Sequence, residues 1–447
     1  MKSIVKKSNV RWLIVFMLFL VSSLNYADRA AMAVGASSMQ KELGLNAVSL
    51  GYIFSAFSWA YVIAQIPGGW LLDRFGSKII YALSIAFWSI FTLCQGLVGF
   101  LTGGAIIVVL FILRFMIGFA EAPAYPANSR ITAAWFPAKE RGTAASIFAS
   151  AQYGATVLFS PIMAWMTQSY GWQENFVMMG LIGIVLTFVW LKLIYSPKEH
   201  PKTNSAELEY IEQGGAMVEM DTQTEKENSE SKWPYIKQLL QSRMLMGIFI
   251  GQYCINVLTY FFLTWFPVYL VQARGMSILK AGFVASLPAL CGFTAQILSG
   301  LFSDYLLRKG YSLTFARKVP IVSGILLSMV IVGCNYVSSV SLVIFLMSLA
   351  FFGKGFGAIG WCVISDAAPK EILGLSGAMF NSFGNLAGII TPIVIGYIVH
   401  GTGSFNGALA FVGANALVAI VCYLVVVGEI KRFELKKVDQ RNQIISL

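Results

Sequence analysis

Long apolar runs separated by short polar segments dominate the chain. Each run is long enough for a membrane-spanning helix, which needs about 20 apolar residues. The runs lack the alternation of apolar and polar positions that marks the strands of a membrane barrel. The pattern therefore predicts an all-α integral membrane protein whose 12 transmembrane helices cover residues 12–34, 49–71, 79–99, 104–126, 142–166, 173–195, 245–271, 277–301, 318–336, 340–364, 373–399 and 406–428.

One polar segment is much longer than the others. It runs from Ser196 to Gln241, is rich in Glu, Lys, Asn and Ser, and divides the predicted helices into six plus six. We therefore predict four regions, one of them a linker with a short amphipathic helix over residues 206–213. The regions are an N-terminal six-helix bundle (1–196), a cytoplasmic linker (197–241), a C-terminal six-helix bundle (242–430) and a cytoplasmic tail (431–447).

Composition and charge agree with this pattern. Hydrophobic residues make up 57% of the chain and charged residues only 12%, against about 25% charged in soluble domains. The net charge of +11 comes from basic residues in the short loops and at the chain ends, which indicates membrane topology and not nucleic-acid binding. The loops of one side contain only three basic residues, Lys41, Arg274 and Lys280. The other side, which holds both termini and the linker, is therefore predicted to be cytoplasmic.

The two halves of the chain contain related motifs. Gly69-Trp-Leu-Leu-Asp73 is matched by Gly300-Leu-Phe-Ser-Asp304, and Lys139-Glu140 is matched by Lys370-Glu371. All of these pairs share one offset of 231 residues. A shared offset indicates two parallel six-helix repeats, an arrangement typical of two-bundle transporters that bind their substrate near the middle of the membrane.

Several motifs resemble a known family. The signature loop between helices 2 and 3 of the major facilitator superfamily resembles Gly69-Trp-Leu-Leu-Asp73-Arg74-Phe-Gly76-Ser-Lys78. The anion:cation symporter family is similar at Asn25-Tyr-Ala-Asp-Arg29, at Gln65-Ile-Pro-Gly-Gly69, at Arg114 through Glu121-Ala-Pro123, and at Trp135-Phe-Pro137. Its glucarate/galactarate branch is similar at Met276-Ser-Ile-Leu-Lys280-Ala-Gly282 and Gly353-Lys354-Gly355. The resemblance implies proton-coupled uptake of sugar acids across a bacterial inner membrane.

The resemblance also implies a set of residues with a conformational role. They lie at the predicted cytoplasmic ends of helices and are expected to brace the inward-closed state of the transporter through charge pairs, without touching substrate. This set comprises Gly69, Asp73, Arg74, Gly76, Glu140, Arg141 and Asp304.

Five charged residues fall in the interior of predicted helices, away from their ends: Asp28, Arg29, Arg114, Glu121 and Lys354. Each costs roughly 2.5–3.5 kcal/mol at the centre of a membrane helix, so these groups must pair or line a wet cavity. Arg114 and Glu121 are seven positions apart and share one face of the fourth helix. Fixed cations beside titratable acids suit an anion–proton symporter, and the alternative is a set of purely structural ion pairs.

The resemblance implies individual roles for these residues. The positions of Asp28 and Glu121 are linked to proton coupling, and those of Arg29 and Arg114 to substrate. Tyr26, Tyr61, Gln152 and Asn381 match binding positions of the sugar-acid transporters, although polar groups in membrane bundles also form interhelical hydrogen bonds. Lys354 and Trp361, seven positions apart and on one helix face, complete the predicted substrate-binding set.

We therefore predict a secondary transporter that imports a sugar diacid of the glucarate/galactarate class by proton symport and alternating access. The third cation, Lys354, favours a substrate with two carboxylates, and the alternative is that it pairs with Asp28, Glu121 or Asp366 and does not touch substrate. The alternatives are a related monocarboxylate, such as galactonate or a hexuronate, and anion exchange without protons. We expect a monomer in the lipid bilayer that uses protons as coupling ion, with no cofactor, metal or nucleic acid. An enzyme is not expected, because no HExxH or GxSxG motif is present.

Overall fold

The computed structural model describes residues 7–100, 104–219 and 233–435. Within them it is all-helical, and 12 helices are long and apolar enough to cross a membrane. We label these helices α1 to α12 in chain order. They are Val10–Leu43, Ala47–Gln65, Ser77–Gly96, Ala105–Trp135, Arg141–Ser169, Gln173–Leu193, Arg243–Gln272, Ile278–Arg308, Leu313–Tyr336, Val340–Ala367, Leu373–Thr402 and Asn406–Val426.

The predicted spans are all present, but several helices continue beyond their apolar runs. α1 extends to Leu43 instead of residue 34, and α8 extends to Arg308 instead of residue 301. α2 continues in helical form to Phe75. Hydrophobicity reports only the part of a helix that matches the bilayer, whereas the backbone remains helical until a stop signal. α1 stops at such a signal, Gly44, which adopts a left-handed conformation with φ of 66°.

Some spanning helices are irregular in the middle. α4 is interrupted directly after Glu121, at Ala122 and Pro123, before it resumes at Ala124. α7 widens into a π-helical turn at Phe261–Trp265, and α10 tightens into a 3₁₀ turn at Phe356–Ile359. Such irregularities in transporters often lie beside binding sites, because they free backbone groups inside the protein.

The linker contains the predicted short helix, at Ser205–Gln213. A second helix at Trp233–Gln241 was not predicted and ends just before α7 begins at Arg243. Linker residues 220–232 and tail residues 436–447 lie outside the described part of the chain.

The chain divides into two compact units, and the first comprises residues 1–226, 260–290 and 388–408. Within it α1 packs against α5, α2 against α4, and α3 against α6. Buried aromatic rings, such as those of Tyr81 and Trp190 at 4.5 Å between centroids, fill the interior. The first unit also includes the ends of α7 and α11, and α1 contacts the end of α7. The division into bundles at residues 1–196 and 242–430 stays a prediction.

Helices α2 and α11 approach very closely within the first unit. A Cβ atom added to Gly51 would lie 2.6 Å from the carbonyl oxygen of Pro392, and one added to Gly396 would lie 2.6 Å from that of Ala47. On the same pair of helices the hydroxyls of Tyr52 and Tyr397 are 3.2 Å apart. The two glycines therefore allow a backbone contact that larger residues would prevent.

The second unit comprises residues 227–259, 291–387 and 409–447. Its α9 packs against α10 and against the end of α12. In both units many large apolar side chains are exposed, among them Phe188 at 68% and Leu326 at 61%. Such exposure would be unfavourable in water but is expected for side chains that face lipid.

Candidate functional site

Four of the predicted charged residues meet in the first unit. Asp28 and Arg29 come from the middle of α1, and Arg114 and Glu121 come from α4. The fractional exposure of Asp28 is 1%, that of Arg114 is 4% and that of Glu121 is 0%. Two arginines and two carboxylates thus form a buried cluster with no formal net charge when all four groups are ionised.

Arg29 is the centre of this cluster. Its Nη2 atom donates to Oε2 of Glu121 at 3.0 Å and to Oδ1 of Asn25 at 3.0 Å. One nitrogen therefore donates hydrogen bonds both to a carboxylate on α4 and to an amide oxygen one turn earlier on α1. Removal of either partner would leave the buried guanidinium less well satisfied, which is costly in a low-dielectric interior.

Aromatic rings surround the guanidinium of Arg29. Its central carbon is 4.2 Å from the ring centre of Phe57, 4.8 Å from that of Tyr26 and 5.6 Å from that of Tyr61. The electron-rich faces of these rings attract a cation. The two predicted binding tyrosines therefore lie beside the predicted binding arginine.

Asp28 has different surroundings. Its Oδ2 atom accepts a hydrogen bond from the Thr92 hydroxyl on α3 at 3.4 Å, and its Oδ1 atom has no hydrogen-bond partner among the described residues. Arg114 acts electrostatically on both carboxylates, and its guanidinium carbon is 5.5 Å from the ring centre of Phe57. Arg114 thus acts on Asp28 only through charge at a distance, whereas Glu121 forms a direct ion pair with Arg29.

The break in α4 lies directly beside the cluster. Glu121 is the last residue of the first segment of α4, and Pro123 lacks the N–H group that would continue the helical ladder. The ring of Pro123 lies against α2, where a Cβ atom added to Gly68 would be 3.1 Å from it. The carboxylate is therefore held at an interrupted point of the helix, next to a close helix contact.

The remaining predicted binding residues lie elsewhere. Gln152 is half-buried on α5, and the structure gives its side chain no hydrogen bond to the cluster among the described residues. In the second unit Lys354 is half-buried, with its ammonium 5.3 Å from the ring centre of Phe351. The indole of Trp361 packs against Phe380 at 4.9 Å. The side chain of Asn381, also in that unit, is half-buried.

Asp366 was one candidate partner for Lys354, and the structure gives it another. Its Oδ2 atom accepts from Nε of Arg317 at 2.8 Å, and Nη1 of the same arginine donates to Ser303 at 3.0 Å. Within the described part of the second unit, no ion pair is formed by Lys354.

The signature loop has a clear structural basis at Gly76. This residue joins α2 to α3 with φ of 79° and ψ of 158°, a conformation that favours glycine, and its N–H donates to the Leu72 carbonyl. Asp73 pairs with Arg130, and Arg74 lies over the rings of Trp70 and Phe75. Gly69 has open space around its Cα, so no close contact explains it.

Glu140 and Arg141 connect the membrane helices of the first unit to the linker, Arg141 by donating to the carbonyl of Gly215. Glu140 pairs with Nε of Arg11 at 3.1 Å and accepts from the hydroxyl of Tyr210 in the linker helix. Burial raises the pKa of Glu140, but these bonds outweigh it, so the net pKa is lowered. Arg141 donates to the carbonyls of Phe136 and Ala133. Asp304, by contrast, is exposed, and the ion pair near it joins Arg317 and Asp366.

The sequence did not reveal three residues that contact the buried cluster. Asn25 stood in a quoted motif without a role, Phe57 looked like an ordinary apolar residue, and Thr92 was one polar residue in an apolar run. Only Thr92 had a usable signal, because a hydroxyl at that depth needs a partner. The pairing of Asn25 and Phe57 with Arg29 depends on how α1, α2 and α4 pack.

The sequence is similar to known transporters along its whole length. The Major Facilitator Superfamily model matches residues 18–362. A Bacillus subtilis (strain 168) protein named "Probable galactarate/D-glucarate transporter" is 65% identical, covering 97% of this chain and 96% of its own length. A protein of the same name from Escherichia coli (strain K12) is 63% identical, covering 98% and 97%. A D-galactonate transporter of Escherichia coli O6:H1 is 40% identical, covering 96% and 98%.

Solved structures show the same fold. A D-xylose–proton symporter superposes with a TM-score of 0.68 at 16% identity, covering 94% of this chain and 98% of that one. A bacterial homologue of the human lysosomal transporter Spinster, in an inward-facing and occupied conformation, also gives a TM-score of 0.68 at 15% identity, covering 93% and 94%. At these identities the similarity concerns the fold alone.

Proposed function

Because the chain belongs to the Major Facilitator Superfamily and is a multi-pass transporter of the bacterial inner membrane, we propose that it imports galactarate or D-glucarate by proton symport. The names of the relatives at 65% and 63% identity support this substrate class. The observation that carries the coupling mechanism is the buried ion pair between Arg29 and Glu121, beside Asp28 and Arg114.

The proposed mechanism is a competition for Arg29. While Glu121 is ionised, it occupies the Nη2 atom of Arg29 at 3.0 Å. Protonation of Glu121 weakens this pair and leaves the guanidinium free to bind a substrate carboxylate, which arginine can hold with two parallel hydrogen bonds. When the substrate leaves, Arg29 attracts Glu121 again, and the proton is released.

Charge balance supports coupling between substrate and protons. The four ionised groups of the cluster have no formal net charge, so a bound carboxylate adds an uncompensated negative charge inside the membrane. Excess buried charge is strongly unfavourable. A proton on Glu121 or Asp28 cancels the added charge, and the loaded and empty states can then both reorient. Lys354, which forms no ion pair with the described residues of its own unit, is proposed to bind the second carboxylate of a diacid.

Transport by the purified protein in proteoliposomes tests this function. We expect labelled galactarate or D-glucarate to accumulate when the inside is made alkaline, and a protonophore to abolish the accumulation. Glu121→Gln and Asp28→Asn should lose proton-driven accumulation, because an amide cannot exchange a proton, and at least one should retain counterflow exchange. Accumulation that ignores the proton gradient in the wild-type protein would contradict symport, and a strong preference for galactonate would contradict the diacid.

A further inference from the structure

A stripe of buried polar groups on α3 leads away from Asp28. Trp88, Thr92 and Gln95 are spaced four and three residues apart and therefore lie on one face of the helix. Their fractional exposures are 0%, 1% and 0%. Thr92 donates to Asp28, whereas the indole nitrogen of Trp88 and both amide atoms of Gln95 have no hydrogen-bond partner among the described residues.

The amide of Gln95 is the most informative of these groups. It could donate two hydrogen bonds and accept two, yet the protein supplies none among the described residues. Buried polar groups in native proteins are almost always hydrogen-bonded, either to protein or to ordered water. Gln95 lies about 4.5 Å along the helix axis from Thr92, so one water molecule can bridge their side chains.

Polar groups continue from Gln95 to the end of the helix. α3 ends at Gly96, where an added Cβ atom would be 2.9 Å from the carbonyl oxygen of Gln173. The amide of Gln173 donates to the exposed carboxylate of Glu42 at 2.8 Å. In the predicted topology this end of α3 faces the outside of the cell. Glu42 and Gln173 thus place polar groups at the outer end of α3, and Gln95 and Thr92 lie between that end and Asp28 along the helix.

We propose that Gln95 and Thr92 hold a water site through which protons reach Asp28 from the outer end of α3. The proton passes from external water to a water held by Gln95, and from it or a neighbouring water to the unpartnered Oδ1 atom of Asp28. Each water gains one proton and gives one away, and neither the amide nor the hydroxyl is itself ionised. Gln95 and Thr92 are therefore positioning residues.

The electrostatic surroundings of Asp28 suit a relay from this side. Charged groups act on Asp28 from its own helix, through Arg29, and from α4, through Arg114 and Glu121. α3 faces it with neutral groups, and α5 and α6 add no charged group to its surroundings among the described residues. A proton that arrives along α3 therefore avoids both arginines, whose positive charge opposes its approach from the α4 side.

This inference rests on the proposed proton symport, and its test separates proton delivery from substrate handling. Thr92→Val and Gln95→Leu remove the water-binding groups with little change in volume. Two readouts are compared in proteoliposomes. One is the initial rate of proton-driven uptake as a function of external pH, and the other is counterflow exchange at equal pH, which needs no net proton transfer.

We expect both variants to slow proton-driven uptake at neutral pH about tenfold, as the loss of a hydrogen bond to a reacting group would. A higher proton concentration compensates for slow delivery, so their pH profiles should shift by about one unit toward acid. Exchange should stay within about twofold of the wild-type rate. Thr92→Ser should behave as wild type. Thr187→Val should do the same and is a matched control, because its buried hydroxyl donates to the Gly183 carbonyl within its own helix.

Three outcomes would overturn the inference. Unchanged pH profiles in both variants would show that protons reach Asp28 by another route. An equal fall in exchange and in driven uptake would assign Thr92 and Gln95 to packing or to substrate binding. If the wild-type protein itself transports without proton dependence, the proposed symport fails and the water site has no protons to deliver.

Discussion

At the scale of single residues, Arg29 carries the most information about mechanism. It combines a carboxylate, an amide and three aromatic rings around one guanidinium. A lysine could satisfy the charge but not the planar stacking and the forked hydrogen bonding together. The sequence indicated a buried arginine that needed a partner, and its actual partner, Glu121, is 92 residues away.

We propose that Lys354 distinguishes diacids from monoacids. A monoacid needs one cationic clamp, and a second buried cation without a partner would be unfavourable. We expect the wild-type protein to prefer galactarate and D-glucarate over galactonate and gluconate. Lys354→Asn should reduce diacid uptake about tenfold or more, because a hydrogen-bonded charge is lost, and monoacid uptake much less.

Competition assays with labelled galactarate measure this preference. Lys280→Asn, which removes an exposed lysine that is also in the C-terminal half of the sequence, controls for the change in net charge. Full retention of the diacid preference in Lys354→Asn would rule out a role for this lysine as the second clamp.

At the scale of elements, the linker helix is joined to the start of α1 through one buried carboxylate. Glu207 has 0% exposure and accepts from the backbone N–H groups of Val10 and Arg11, from the Ser8 hydroxyl and from Nη1 of Arg11. The orphan N–H groups at the beginning of a helix attract a negative charge. A residue from the linker thus caps the first membrane helix.

We expect Glu207→Ala to weaken this docking by about 1–2 kcal/mol, the upper range for loss of a helix cap. Hydrogen exchange should rise in residues 205–213 and in the first turn of α1, as measured by mass spectrometry. Glu212→Ala, an exposed glutamate on the same linker helix, is the matched control. Unchanged exchange in both segments would contradict the capping role.

The same contact has a defined pH dependence. Burial raises the pKa of Glu207, but the hydrogen bonds from Ser8, Val10 and Arg11 outweigh it and lower the net pKa. A lowered pKa in the docked state stabilises docking above the ordinary glutamate value of about 4.3, and this stabilisation is lost as the pH falls through the lower docked value. Protection should therefore persist from neutral pH to about pH 5 and disappear only in stronger acid.

The contact between α2 and α11 depends on two glycines. Gly51→Ala would place a methyl group 2.6 Å from the Pro392 carbonyl oxygen, so the helices must separate. Cysteines introduced at Tyr52 and Tyr397 should form a crosslink in the parent protein and a much weaker one with Gly51→Ala. Gly401→Ala, which meets no atom within 4 Å, should leave the crosslink unchanged. Equal crosslinking in all three proteins would show that the close approach is not needed.

At the scale of the whole molecule, the loop charges predict the orientation in the membrane. We expect a cysteine at Lys198 in the linker to be labelled from the cytoplasmic side, and a cysteine at Ser404, between α11 and α12, from the outside. The measurement uses a membrane-impermeant thiol reagent on intact and permeabilised cells, in a background without the 6 native cysteines. Labelling of both positions from the same side would overturn the topology.

The sequence by itself determined the all-helical class, the twelve spans, the linker helix and the set of buried charges. Those features depend on local hydrophobicity and on the cost of charge in lipid. Both are properties of the residues themselves and do not depend on how the helices pack. Helix ends were less accurate, because α1 and α8 continue past their apolar runs to stop signals. The family was also recognisable, since its motifs are contiguous in the chain.

Only the tertiary structure decided which charges pair, because pairing depends on the packing of helices far apart in the chain. It joined Arg29 to Glu121, gave Asp28 a hydroxyl on α3, and assigned Asp366 to Arg317 and not to Lys354. It also revealed Gln95 as a buried amide without a partner among the described residues. In the sequence a glutamine near a helix end is unremarkable, and its surroundings exist only once α3 is packed against its neighbours.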